Sequence, residues 1–379
     1  MSMKTLSKKM LAVVAAGAMT MGLAMPTFAA DESKITEAWI TKTYNTEVGK
    51  AEKFSFTAEQ VKTGTGIITT DAAVTMPEIS FDNTETGTNF KRGQITFPTY
   101  PEAGKYEYTV TETQTADPAV VNSAHEKMIM SQAEYTMDVY VTDGATGTEI
   151  SNIVVNKVKD DAGQSKTGKV DIGNTDTNSF NFTNTYVQEA GTGTDPTDPD
   201  PTYTDNGALK VSKTINANGG TLDTEKEFDF TATFTFPTGT DASTLGGVKG
   251  NGTAITLTGD KGDTYTFTLK HGNKMKFTGL PVGTTITVTE KGAANYKASA
   301  KVFLDGSELT PAPAATKYNE LLTLVDQKKL GQNKNTVDVT NTYNYVPTTG
   351  IIMNTLPYVL MIALCGAALF GFVAFKRRR

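Results

Sequence analysis

Short runs in which apolar and polar residues alternate fill most of the chain between Asp31 and Tyr345. They are rich in Thr, Val, Tyr and Phe, and Gly, Asp and Asn turns separate them. Because a period of two is typical of strands with one buried face, this pattern predicts an all-β fold. Clear examples of such runs are Tyr106–Glu112, Tyr135–Val141, Phe228–Phe236 and Thr284–Glu290. Helical periodicity is weak, and Ser123–Gln132 is the segment that fits a short helix.

A Pro- and Asp-rich stretch at 188–206 interrupts the β pattern. Its centre reads Asp195-Pro-Thr-Asp-Pro-Asp-Pro201, a composition that predicts an extended, semi-rigid connection. The roughly 320 residues from Asp31 to the end of the β pattern suit two domains by length. We therefore expect two β-sandwiches, at 31–187 and 207–345, joined by this linker.

The two halves repeat each other in order. Trp39-Ile-Thr-Lys-Thr-Tyr-Asn45 corresponds to Val211-Ser-Lys-Thr-Ile-Asn216, and Phe54-Ser-Phe-Thr57 to Phe228-Asp-Phe-Thr231. Later, Tyr108-Thr-Val-Thr-Glu112 corresponds to Ile286-Thr-Val-Thr-Glu290, and Phe180-Asn-Phe-Thr-Asn-Thr-Tyr186 to Val337-Asp-Val-Thr-Asn-Thr-Tyr343. The repetition indicates one fold used twice.

Each half places one Lys, one Glu and one Asn on the apolar phase of a strand, since residues two apart share a face. These residues are Lys42, Glu112 and Asn184 in the first half and Lys213, Glu290 and Asn341 in the second. An unpaired buried charge costs several kcal/mol, so lone residues of this kind are rarely tolerated inside. If such polar residues occurred in one half alone, the simplest interpretation would be that each lies at a strand end and points to solvent. Because both halves carry the same triple, we expect the three side chains to meet in the core.

Lys210 is a competing amine in the second half. It lies on the opposite strand phase from Lys213, beside Ser212 and Thr214, so we assign it to solvent.

The chain ends differ from the β region. At the N-terminus, three lysines, an apolar core from Leu11 to Met25 and a small-residue site predict a signal peptide at 1–30, cleaved after Ala29 or Ala30. At the C-terminus, the apolar run 351–375 is long enough to span a bilayer, and the basic cluster 376–379 would stay cytoplasmic. The segment before this run reads Val346-Pro347-Thr348-Thr349-Gly350.

This segment resembles the LPXTG-like sorting signal of Gram-positive surface proteins, which sortases cleave between Thr and Gly. The resemblance implies that Thr349 becomes an acyl donor and that Gly350 and the rest of the tail are removed. Val346 departs from the usual Leu.

Charge and composition exclude several classes of function. The formal charge is −6; because the signal peptide carries +3 and the tail +4, residues 31–349 carry −13, which argues against nucleic acid as a partner. The single Cys365 lies in the tail, so the exported part has no disulfide and needs another source of stability. We find no pattern for a metal, a cofactor or an enzyme active site.

A strand-borne Lys, the Val-Thr-Glu strand end and the closing Thr-Asn-Thr-Tyr resemble Cna B-type and streptococcal pilin isopeptide domains, the first half being closer to the pilin type. The resemblance covers nearly all of the exported region and implies two tandem Ig-like (Cna B-type) sandwiches. It also implies spontaneous Lys42–Asn184 and Lys213–Asn341 isopeptide bonds, with Glu112 and Glu290 as proton shuttles. In this interpretation the Glu polarises the amide oxygen of Asn and then passes protons to the departing ammonia.

We expect a major (backbone) pilin, polymerised by a class C sortase onto other copies of itself and finally onto peptidoglycan or a basal pilin. The membrane is then a partner only before sorting. The alternatives are a monomeric wall-anchored adhesin and a basal or ancillary pilin. The adhesin is disfavoured because only 342–345 separate Asn341 from the sorting signal, which leaves no stalk. The acceptor lysine lies near the closing strand in the pilins resembled, so Lys169 is favoured and Lys166 comes next among Lys157, Lys159, Lys166 and Lys169.

Overall fold

In the first half, strands follow the alternating segments of the sequence. The computed structural model describes residues 35–170, 172, 180–258, 263–345 and 349–377, so the predicted signal peptide and the motif residues Val346, Pro347 and Thr348 lie outside it. The strands of this half are β1 (Trp39–Thr46), β2 (Glu52–Gln60), β3 (Glu78–Phe81), β4 (Gly87–Gln94), β5 (Gly104–Glu112), β6 (Glu126–Ile129), β7 (Glu134–Gly144), β8 (Gly147–Lys159), β9 (Ser165–Val170) and β10 (Phe180–Gln188).

The second half contains a further set of strands, preceded by the short helix α1 (Tyr203–Asn206). They are β11 (Leu209–Asn216), β12 (Phe228–Thr235), β13 (Lys249–Gly250), β14 (Thr253–Ala254), β15 (Asp263–Leu269), β16 (Lys274–Thr278), β17 (Thr285–Glu290), β18 (Tyr296–Leu304), β19 (Ser307–Glu308), β20 (Leu322–Lys329) and β21 (Thr336–Tyr343). Helix α2 (Thr349–Lys376) follows.

Each half is a two-sheet sandwich. In the first half the sheet β4-β1-β10-β6 faces the sheet β3-β2-β5-β7-β8-β9, and in the second half β14-β13-β16-β11-β21-β18-β19 faces β15-β12-β17-β20. Each half buries its own cluster of apolar side chains. The all-β prediction with two sandwiches is therefore confirmed.

The first and last strands of each half are parallel neighbours. β1 pairs with β10 so that Lys42 lies opposite Phe182, and β11 pairs with β21 so that Lys213 lies opposite Val339. In both halves the Asn is two residues beyond that position, on the same face of the sheet. The strand register is the same in the two halves, so the repeat in the sequence corresponds to a repeat in the strand pairing.

The short helix expected at 123–132 is wrong. The segment contains strand β6, in which Glu126 and Met128 are buried and Lys127 and Ile129 are less so. It pairs antiparallel with the end of β10. A four-residue alternation is too short to show its period in the sequence, and the pairing with a distant strand decided the outcome.

The linker region packs at the joint between the sandwiches. Its first residues, from Gln188 to Thr192, are buried, and Ala190 N–H donates to the Leu280 carbonyl of the second half. The carboxylate of Glu189 accepts from Gly279 N–H and lies 2.6 Å from His125 Nδ1. The connection is thus fastened to both domains at one end.

Helix α2 stands apart from both cores. Its part from Tyr358 to Lys376 has a mean hydropathy of 2.3 and is not buried against the rest of the chain. Neither apolar cluster includes a residue of this helix. The sandwiches of residues 35–345 therefore form their cores without it, and its composition fits the expected membrane tail.

We expect Glu189→Ala to loosen the joint. The change leaves the buried Gly279 N–H without its acceptor, which costs about 1–3 kcal/mol, and removes the contact with His125. Limited proteolysis of the 31–345 segment should then cut faster between the domains. Glu225→Ala is the matched control, since that carboxylate is exposed and pairs with Lys270 at the surface. Equal cleavage of both variants would contradict this role of Glu189.

Candidate functional site

The three in-phase polar residues of each half meet between the two sheets. In the first half, Lys42 on β1 and Asn184 on β10 come from one sheet, and Glu112 at the end of β5 comes from the other. Glu112 lies opposite Phe56 in the β2–β5 ladder, and Glu290 has the same position opposite Phe230 in the β12–β17 ladder. The sheet pairing therefore brings together residues that are far apart in the sequence.

The first site is closed to solvent. Lys42 and Asn184 are fully buried and Glu112 is nearly so. Lys42 Nζ lies 2.7 Å from Glu112 Oε1 and 4.5 Å from the centre of the Phe54 ring. Asn184 Nδ2 donates to the same Glu112 oxygen at 2.9 Å. The amine and the carboxamide thus contact one carboxyl oxygen.

The second site repeats this arrangement. Lys213 Nζ donates to Glu290 Oε1 at 2.8 Å, and Asn341 Nδ2 donates to the same atom at 2.6 Å. Lys213 Nζ lies 4.0 Å from the centre of the Phe228 ring. In both sites, the lysine Nζ and the asparagine Nδ2 therefore contact one carboxyl oxygen of the glutamate.

Burial shifts the protonation of both pairs toward their neutral forms. Desolvation lowers the pKa of Lys42 and that of Lys213 to about 8, even though the Glu partner opposes the shift. Desolvation likewise raises the pKa of Glu112 and of Glu290, against the opposing effect of the lysines. A neutral amine next to a neutral acid is the combination that nucleophilic attack on an amide requires.

The carboxamide of Asn184 is oriented differently from the expectation. We expected Glu112 to polarise the amide oxygen, but the amide nitrogen lies on Glu112 and the oxygen accepts from Ser131 N–H at 2.7 Å. Because Ser131 N–H is a donor only, it selects the oxygen. Glu112 is therefore placed on the leaving nitrogen.

Sequence reasoning missed Ser131 and Asp161. Ser131 Oγ donates to Asp161 Oδ1 at 2.6 Å, and Thr183 N–H donates to the same oxygen at 2.8 Å. No periodic signal marks Ser131, because it contributes a backbone N–H that every residue except proline carries. Only the course of the chain after β6 brings that group to Asn184.

The other predicted residues lie at the surface or outside the described side chains. Lys210 pairs with Asp205 on the outer face of β11. Lys166 and Lys169 are exposed on the edge strand β9, whereas Lys159 pairs with Glu134 and Lys157 lies over the Tyr135 ring. Thr349 and Gly350 begin helix α2, and their side chains are not described. Within the described residues, no cluster of three or more His, Cys, Asp or Glu could hold a metal ion.

Comparison with known families agrees with this geometry in the first half. Residues 38–187 match the family described as "Spy0128-like isopeptide containing domain", which confirms the resemblance to streptococcal pilin domains. Residues 207–343 match a "Domain of unknown function (DUF7601)". The first half is thus similar to a family whose description names an isopeptide.

One curated relative is named "Pilin", from Streptococcus pyogenes serotype M1. It is 29% identical over 171 residues, which cover 44% of this chain and 48% of the relative, so the match spans about half of that protein. Pilins are structural proteins rather than enzymes.

Among solved structures, the major pilin of Streptococcus pyogenes is 21% identical, with a TM-score of 0.32, covering 82% of this chain and 99% of that one. A bacterial adhesin from Mobiluncus mulieris is 15% identical, with a TM-score of 0.25, covering 79% and 88%.

We expect bond formation at Lys42 to show a bell-shaped pH dependence. At low pH both groups hold a proton and the amine cannot attack; as pH rises through the elevated pKa of Glu112, one proton leaves and the neutral pair becomes accessible. Above about 8 the Lys42 proton is lost as well, so no acid remains for the leaving nitrogen. Asp161 is the other nearby charge, and it favours the protonated forms of both groups.

The measurement is ammonia loss by mass spectrometry after unreacted chain from inclusion bodies is diluted into buffers from about pH 5 to about pH 10. A rate that keeps rising through the upper end of this range would contradict a role for protonated Glu112.

Proposed function

We propose that this chain is a subunit of a Gram-positive pilus, stabilised by a spontaneous Lys42–Asn184 bond in the first domain and a Lys213–Asn341 bond in the second. The observation that carries the proposal is the buried Lys–Glu–Asn site, present in both domains at the same strand register. The isopeptide-domain match of 38–187 and the relative named "Pilin" support it. Assembly with other pilin subunits follows from that class.

The bond forms by an exchange at the Asn side chain. The neutral Lys Nζ attacks Cγ of the Asn, the Nζ–Cγ bond forms, the Cγ–Nδ2 bond breaks and ammonia leaves. One proton passes from Nζ to the leaving nitrogen, and the Glu is the relay because its Oε1 contacts both nitrogens. Each site turns over once, so the chain modifies itself and acts on no external substrate.

The proposed bonds replace the missing disulfides. Each closes a loop of about 140 or about 130 residues, and the chain-entropy relation for cross-links gives about 5 kcal/mol of stabilisation for such a closure. The parallel first and last strands add a mechanical consequence. In the second domain, tension that enters β11 crosses from Lys213 to Asn341 and leaves through β21, so the chain between them carries none of the load.

We propose that a sortase, of class C, joins subunits through the C-terminus. The enzyme cleaves between Thr349 and Gly350, and the Thr349 acyl group passes to a lysine of another copy. Lys169 and Lys166 are the candidate acceptors, because both are exposed on an edge strand and neither makes an ion pair among the described residues. The final acyl transfer joins the pilus to peptidoglycan or a basal pilin.

The cell surface is the corresponding location. The apolar helix α2, followed by a basic end, suits a membrane tail that holds the exported chain until sorting. The signal peptide and the motif residues at 346–348 complete this route. After cleavage, the membrane has no further role.

We expect the 31–345 segment to weigh two ammonia equivalents less than its sequence. Glu112→Ala should lose only the second-domain ammonia and Glu290→Ala only the first, because each removes one proton relay. Intact-mass spectrometry with peptide mapping checks this. Lys210→Ala serves as the control and should retain both losses, since Lys210 lies outside the site. An unmodified mass in the unsubstituted segment would refute the isopeptide proposal.

We expect a ladder of regularly spaced, high-mass bands when wall material released by muramidase is boiled in SDS and blotted for this chain. Thr349→Ala should abolish the ladder because it removes the acyl donor. Lys169→Ala and Lys166→Ala test the acceptors, with Lys159→Ala as the control. A single band near monomer size in the unsubstituted strain would instead indicate a wall-anchored adhesin, and a full ladder from the Lys166/Lys169 double variant would refute these acceptors.

A further inference from the structure

The carbonyl oxygen of Asn184 has a dedicated hydrogen-bond donor. Ser131 N–H donates to Asn184 Oδ1 at 2.7 Å, inside the closed core of the first domain. The nitrogen of the same carboxamide is also satisfied, by Glu112 Oε1 at 2.9 Å and Met130 Sδ at 3.4 Å. All contacts of the reacting amide are thus made before any bond forms.

The Ser131 peptide is fixed from several sides. Its hydroxyl donates to Asp161 Oδ1 at 2.6 Å and accepts from Ala133 N–H at 3.1 Å. Its carbonyl accepts from Gln114 Nε2 at 2.9 Å, and Gln114 is itself held by the Glu112 carbonyl at 3.0 Å. A donor held this firmly needs no rearrangement when charge develops on its acceptor.

Among the residues that the structure describes, the second domain has no such donor at Asn341. The side-chain oxygen of Asn341 is buried and accepts no hydrogen bond from any residue that the structure describes. Strand pairing explains the difference. In the first domain β6 ends at Ile129, opposite Thr185, so the chain turns beside Asn184 and frees the next N–H groups from the ladder. In the second domain β18 continues past Asn341, with Ala298 opposite it.

We infer that Ser131 N–H is an oxyanion donor for the Lys42–Asn184 reaction, with Asp161 and Gln114 as residues that position it. This inference rests on the proposed isopeptide function. When Nζ of Lys42 attacks Cγ, the carbonyl electron pair moves onto Oδ1, and the Ser131 N–H stabilises that negative charge. The pair returns as Nδ2 leaves with its extra proton from Glu112. In the first domain, Ser131 N–H therefore polarises the oxygen and Glu112 protonates the nitrogen. In the second domain, Glu290 acts without a backbone donor among the described residues.

The direct test removes the backbone N–H of residue 131. Cell-free translation of the 31–345 segment can place lactic acid at position 131, which replaces the backbone N–H by an ester oxygen and the side chain by a methyl group. Ser131→Ala is the matched control, because it has the same side chain and keeps the N–H. Samples are quenched in denaturant at successive times and digested, and the peptides that join Lys42 to Asn184 and Lys213 to Asn341 are quantified by mass spectrometry.

We expect the lactic acid chain to form the Lys42–Asn184 bond about 100-fold more slowly than Ser131→Ala, the usual effect of removing one oxyanion donor. The Lys213–Asn341 bond in the same molecules should form at an unchanged rate, so its rate is the internal reference. A protease pulse at each time point reports whether the first domain is folded. Equal rates in two folded chains would overturn the inference.

A second pair of variants covers the case in which the ester chain does not fold. Asp161→Asn and Asp161→Ala both remove the charge near Lys42, but only Asn retains an acceptor for Ser131 Oγ and Thr183 N–H. We expect the Ala variant to close the first bond several-fold more slowly than the Asn variant, and equal rates would count against Asp161 as a positioning residue and against the oxyanion role. If the unsubstituted chain forms neither bond, the proposed function itself fails, and that outcome is distinct from both others.

Discussion

The structure is organised around an amine and a carboxyl group that are buried between two sheets in each domain. Removing such a pair from water costs several kcal/mol per ion, and the mutual attraction of the charges returns only part of that cost. The lowered pKa of Lys42 and the raised pKa of Glu112 express the same penalty, since burial favours the neutral forms. Amide formation would turn the amine into a neutral group permanently. A site that is unfavourable as an ion pair is therefore well suited to become a covalent link.

Sheet topology determines how much of each domain such a link would enclose. The first and last strands of each domain are parallel neighbours, so a bond between them would enclose nearly the whole domain and leave only the chain ends outside. The joint between the domains is also held in place, because residues just after β10 are buried against the second domain and Glu189 contacts both domains. With the proposed cross-links in place, two sandwiches with a fastened joint would form a unit that suits a load-bearing shaft.

The two sites share their reacting residues but differ in their surroundings. In the first domain the end of β6 leaves Ser131 N–H free to meet Asn184, whereas the longer β18 of the second domain uses its backbone groups in the ladder. The residue types are the same in both sites, so the difference lies in strand length. The point at which a neighbouring strand stops thus decides whether a backbone N–H reaches the buried amide oxygen.

The sequence by itself determined the elements whose signal is local. Alternation predicted the strands, and the phase of Lys42, Glu112 and Asn184 within them predicted which side chains face the core, because a strand fixes the side of every second residue. Only the tertiary structure decided what depends on distant pairing: that 126–129 is a strand rather than a helix, that the linker is buried at its start, and that Ser131 N–H faces the Asn184 oxygen. A backbone N–H is the same in almost every residue, so its role depends on where the fold places it.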